Sequence, residues 1–123
     1  NNTVIENYNY LESEHRICNF FDISITYESD LKKAIEVLAD EADKIPELLD
    51  IRSQEDIDSG VPKVKVLVTN FADSSIVLRA WLWSEDAATG ALIKSKLYQS
   101  LLDRYRVEGI EFAYPQLVVH TSE

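Results

Sequence analysis

An α+β sandwich with the element order βαββαβ is the fold this sequence predicts, and three observations carry it. Residues 17–27 alternate with a period of two and run directly into a polar helix cap. Two further alternating runs, 64–71 and 76–83, are joined by Ala72-Asp73-Ser74, the signature of a hairpin. Residues 87–107 then carry a helical stripe that stops at Gly109. In this order the elements form the ferredoxin-like, or split-βαβ, arrangement: a four-stranded antiparallel sheet with two helices on one face.

Residues 3–10 alternate weakly and read as a short strand remnant of a preceding β unit, followed by a polar connector containing Glu12, Ser13, Glu14, His15 and Arg16. The expected division is therefore 1–15 for the remnant and connector, and 16–123 for the ferredoxin-like domain. In the first full strand Ile17, Asn19, Phe21, Ile23, Ile25 and Tyr27 share one face, as a half-buried strand requires. Ser29 or Asp30 caps a helix whose Leu31, Ile35, Leu38 and Ala42 lie along one side. The stretch 46–62 is the least regular. Its Asp50, Glu55, Asp56 and Asp58, ending in Ser59-Gly60, read as a solvated acidic loop. The second helix presents Ile93, Leu97, Leu101 and Tyr105 at i, i+4 spacing. Gly109 ends it, because a residue past a helix often takes positive φ, which only glycine does cheaply. A last strand runs from Gly109 to about Val119, with Pro115 marking a sheet edge.

Composition narrows the function classes. With 123 residues, 46% hydrophobic and 28% charged, the chain supports one globular domain with a real core. A net charge of -10 argues against nucleic acid and against anionic lipid headgroups, both of which need a cationic surplus. The single cysteine, Cys18, cannot close an internal disulfide and reads as a buried, inert thiol in a reducing compartment. No apolar run approaches the ~18–20 residues of a membrane-spanning helix. The lack of any methionine reads as a fragment or mature piece of a longer product.

Catalytic, cofactor and metal sites are not expected. His15 and His120 stand at opposite ends of the chain, outside any metal-ligand spacing. The three glycines form no phosphate-cradling loop. Asp73-Ser74-Ser75 is what a turn needs, and no base accompanies the hydroxyls. The acidic cluster at 55–58 lacks calcium-loop spacing. One strand stands out instead. Ile76, Leu78, Ala80 and Leu82 make a plain core face, while Val77, Arg79, Trp81 and Trp83 occupy the other. Tryptophan beside arginine is enriched at interfaces, so Arg79, Trp81 and Trp83 are the candidate subunit contact.

The chain also resembles one family over nearly its whole length: the cytoplasmic C-terminal region of the MscS-like mechanosensitive channels. The resemblance is carried by Asn2 with Val4-Ile5-Glu6-Asn7-Tyr8, by Arg16 and the stretch Phe21 to Asp30, by Pro62-Lys63-Val64, by Asn70-Phe71-Ala72-Asp73-Ser74-Ser75 with Arg79, Trp81 and Trp83, and by Gly109-Ile110-Glu111-Phe112 with Tyr114-Pro115-Gln116. Ala113 departs from the proline common in the family, and the 50–62 loop is longer and more acidic. The resemblance implies a channel component rather than an enzyme, with residues 1–15 ending the family's middle β domain. It implies a homo-oligomer, usually a heptamer, forming a hollow cage on the cytoplasmic side of the cell (inner) membrane, below the transmembrane region of the same chain. Ions and small solutes pass its side portals during osmotic pressure release. Carried onto this chain, the portal wall falls at the connector, so Glu12, Glu14 and Arg16 are the expected portal-lining charges. A second reading is a ferredoxin-like regulatory module that binds a small molecule and oligomerises through its sheet.

Overall fold

The computed structural model describes residues 16–113. Within them the elements are β1 (Ile17–Ile25), α1 (Leu31–Asp43), α2 (Gln54–Asp58), β2 (Lys65–Phe71), β3 (Ile76–Ser84) and α3 (Ala87–Glu108). The strands form one antiparallel sheet in the order β1-β3-β2, with β3 central. The hairpin expected between 71 and 76 is present, closed by the Ala72 N–H donating to the Ser75 carbonyl at 2.8 Å. Opposite β3, the register of β2 slips between Val68 and Asn70, so Thr69 is the extra residue of a bulge.

The core lies between one sheet face and the two long helices. Phe21, Ile23 and Ile25 of β1 and Ile76, Leu78, Ala80 and Leu82 of β3 are buried there. Against them pack Ala34, Val37, Leu38 and Ala42 of α1 and Ile93, Leu97, Leu101 and Tyr105 of α3. Each large side chain fully removed from water contributes about 1.5–3 kcal/mol, so the two helix stripes dock the layers. The caps follow from local chemistry. Asp30, not Ser29, caps α1, its carboxylate accepting from the Lys33 N–H at 3.1 Å. Asp86 caps α3 through the Thr89 N–H at 2.7 Å. Gly109 ends α3 with φ 77°, as its position in the sequence requires.

Three features differ from the sequence expectation. Residues 54–58 are helical rather than loop: Ser53 and Asp56 form a reciprocal capping box, with both bonds at 3.1 Å, that stabilises this one short turn. The described residues therefore hold three helices, not two. β1 stops at Ile25, because the Ser29 N–H turns back to the Thr26 carbonyl, and Tyr27 instead sends its hydroxyl to the Ala72 carbonyl at 2.6 Å. Cys18 is half-buried rather than buried, since it sits on the sheet face turned away from the two long helices.

Of the expected fourth strand, only its beginning lies within the described residues. Phe112 bridges Ile25 in antiparallel fashion, the Thr26 N–H donates to the Glu111 carbonyl at 3.0 Å, and the Ala113 N–H donates to Ser24 at 2.9 Å. This puts residues 111–113 on the outer edge of β1. The remainder of that strand, from Tyr114 on, lies outside the described residues.

Candidate functional site

Pleating sends alternate residues to opposite faces, so the register fixes what the face away from the two long helices carries. Across the three strands, Phe20, Trp81 and Lys65 stand in one row and Asp22, Arg79 and Leu67 in the next. Cys18 pairs with Trp83, and Ser24, Val77 and Asn70 complete the face. Arg79, Trp81 and Trp83 thus share one surface, as the alternation of β3 predicts.

Their contacts make the surface an interleaved set of rings and cations. Phe20 and Trp81 meet edge to face with centroids 5.6 Å apart. Lys65 Nζ lies 4.9 Å from the Trp81 ring centre, the Arg79 guanidinium 4.3 Å from that of Phe20, and the Arg16 guanidinium 5.7 Å from that of Trp83. Such pairs contribute about 0.5–1 kcal/mol each at exposed sites. Arg79 also forms a fork with Asp22, Nε to Oδ1 at 2.8 Å and Nη2 to Oδ2 at 3.0 Å. That hydrogen bond holds the Asp22 carboxyl below its usual range and raises Arg79. Burial pushes the Cys18 thiol up, against a smaller opposing pull from Lys65, so the thiolate is disfavoured.

Two properties set the face apart. Phe20 is 47% and Leu67 46% exposed, so apolar area is presented to solvent beside half-buried tryptophans. Among the described residues, the sheet face itself carries Lys65 and Arg79, with Arg16 against Trp83, beside the carboxylate of Asp22, although the whole chain carries -10. The open face is a cationic, aromatic patch on an acidic molecule.

At its β2 side the patch continues into a groove of about 360 Å³ lined by Ile51, Val61, Pro62, Lys65, Trp81 and Trp83, together with the charged Arg52, Asp56 and Lys63. The acidic 50–62 stretch is therefore a wall of the same surface as the tryptophans. Arg52 draws the stretch together by gripping Asp50 at 2.8 and 3.0 Å and the Val61 carbonyl at 3.1 Å. Of the expected portal charges, Arg16 flanks Trp83, whereas Glu12 and Glu14 lie outside the described residues. Phe20, Asp22 and Lys65 were missing from the sequence-level set, although the even positions of β1 carried a usable signal. Among the described residues no group of His, Cys, Asp and Glu could hold a metal ion.

The model of the family described as mechanosensitive ion channel MscS, C-terminal, matches residues 20–112. The chain belongs to that family. No curated protein matches the chain. The family match runs from Phe20 in β1 to Phe112, so it covers β2, β3, both long helices and all but the first three residues of β1 in this MscS C-terminal domain. The family is one of channels and not an enzyme class. Among the described residues, no helix is long and apolar enough to cross a membrane.

Proposed function

We propose that this chain is the cytoplasmic cage, or vestibule, region of a tension-gated channel, contributing subunit assembly and the filtering of ions and small solutes. The observation that carries the reading is the family match over 20–112. In this reading the upstream part of the same chain spans the cell (inner) membrane, and several copies, seven in the favoured form, close into a ring. Closed rings require heterologous contacts, in which different patches meet head to tail. The Arg79, Trp81 and Trp83 face is one such patch. The 50–62 stretch lines the same groove and extends that patch.

The same proposal completes the sheet. A fourth strand continues from 111–113 along β1, giving the ferredoxin-like order with 16–123 as one domain and 1–15 as the end of a β domain. The three backbone links between 111–113 and β1 support it. Glu12, Glu14 and Arg16 then line a portal, where their field biases which ions accumulate and salt screens the effect.

Patch recording of the full-length channel under applied suction tests this. Tension-activated current is expected, and neutralising Glu12, Glu14 and Arg16 together should change ion selectivity or conductance while leaving the gating tension alone. A full-length protein that inserts but passes no tension-activated current overturns the channel reading. Unchanged permeation overturns only the portal assignment.

A further inference from the structure

The groove beside the tryptophans has a property that subunit contact does not use. It is lined by the indoles of Trp81 and Trp83 and by the aliphatic side chains of Ile51, Val61 and Pro62. Most of its polar groups are already committed. Arg52 holds Asp50 and the Val61 carbonyl, Lys63 reaches Asp43 at 3.2 Å, and Asp56 accepts from the Ser53 N–H. Lys65 is different. Its ammonium lies over the Trp81 ring and has no carboxylate partner among the described residues. A cation with three N–H donors thus stands at the end of an apolar, aromatic slot, in a molecule otherwise strongly acidic.

We infer that this groove binds a small free monoanion with an apolar body, a cyclic or branched carboxylate whose charge rests on Lys65 and whose hydrocarbon lies between the indoles and Val61. The volume is within the range of small-molecule sites, which begins at roughly 300 Å³. Charge and shape act together in the selection. A bare anion gains Lys65 alone and is repelled by the net charge of -10, and a neutral analogue gains only the walls. A carboxylate with a hydrocarbon body gains both. The inference stands apart from the channel reading, since it concerns binding to the chain itself and its failure leaves that reading intact.

The chain carries its own reporter: its only two tryptophans both line the groove. Cyclohexanecarboxylate, which does not absorb where indole is excited, is titrated into the 123-residue chain while tryptophan emission is followed. A saturable change is expected, with acetate and cyclohexanecarboxamide at least tenfold weaker. Lys65→Met, which keeps an apolar stem and removes the charge, should weaken binding at least tenfold, and so should Val61→Asp, which sets a carboxylate in the partly exposed lining of the groove. Lys32→Met, on α1, should bind like the parent. Far-UV circular dichroism and sedimentation are run on each variant. No saturable change, an equal response to the carboxamide, or unchanged binding by Lys65→Met overturns the proposal. Loss of binding by Lys65→Met together with an altered sedimentation coefficient assigns Lys65 to assembly and overturns it as well.

Discussion

At the residue scale, Gly90 and Tyr105 show how single groups set the fit between α3 and the sheet. A helical glycine ordinarily costs about 1 kcal/mol relative to alanine, so Gly90→Ala would normally stabilise. Here the sign reverses, because a Cβ at Gly90 would stand 2.3 Å from Asn19 Oδ1. Asn19 cannot yield freely, since its amide donates to the Leu82 carbonyl at 2.9 Å and to Ser84 Oγ at 3.0 Å. Gly90→Ala is expected to destabilise by about 1–3 kcal/mol in urea unfolding, and Asn19→Ala in the same chain should recover part of the loss. A stabilised Gly90→Ala variant would show that α3 stands farther from β1 than described. Tyr105 is fully buried and its hydroxyl donates to the Ala34 carbonyl at 2.8 Å. Tyr105→Phe removes that bond, while the Ala34 carbonyl keeps its place in the α1 backbone ladder, at a cost of about 0.5–1.5 kcal/mol. Burial also raises the phenol well above its usual range. A group whose folded pKa is raised loses its contribution as pH climbs past the unfolded value, about 10 for tyrosine. Parent stability should therefore fall above about pH 10, and Tyr105→Phe should lack that component of the fall.

At the element scale, α1 and α3 are joined by an ion cluster. Arg104 donates to Glu41 at 2.7 Å, to Asp40 at 3.0 Å and to Glu108 at 3.0 Å. Asp40, Glu41 and Glu108 are all held below their ordinary values, with hydrogen bonds to Arg104 first among the causes at Asp40 and Glu108, whereas at Glu41 desolvation opposes the bonds from Lys44 and Arg104. A depressed carboxyl stabilises the fold above its unfolded pKa and loses that effect as pH falls through the folded one, a window from about pH 4 downward. Arg104→Gln should lower Tm by a few degrees at pH 7 and by clearly less at pH 3, where the carboxylates it held are protonating. An equal drop at both pH values would mean that packing of the Arg104 stem, not charge, joins the helices. Legibility also divides at this scale. The α3 stripe, a cap at Ser29 or Asp30 and the Gly109 stop were readable, because each is decided by residues within one or two turns. α2 was not, since five residues offer no periodicity and its Ser53/Asp56 box looks like turn chemistry. The sequence exposed one face of β3 but not its partners. That Asp22 meets Arg79, 57 residues away, follows from a register set by the packed core.

At the scale of the whole molecule, the open face is where folding and assembly can be separated. Trp81 is half-buried in the isolated chain, touching Phe20 and lying beneath Lys65. None of the fully buried core rests on it, because its strand sends Ala80 and Leu82, not Trp81, toward the helices. Truncation in the monomer therefore removes roughly half of what a fully buried large side chain contributes, about 0.8–1.5 kcal/mol. If the face is a ring contact, the same truncation takes a central anchor from every interface of the ring. Interface anchors of this kind typically cost 2 kcal/mol or more when cut, roughly a thirtyfold loss of affinity at each contact. Trp81→Ala is thus expected to shift sedimenting oligomer to monomer at concentrations where the parent remains assembled, while its urea midpoint moves only modestly. Leu67→Ala, exposed on the same face and outside the core, should act in the same direction with even less effect on folding. The comparison between the two variants is decisive. Assembly that survives both substitutions removes this face from the ring contact, whereas a Trp81→Ala chain that unfolds as far as it dissociates, beside an assembled Leu67→Ala chain, assigns the indole to the fold of the single subunit.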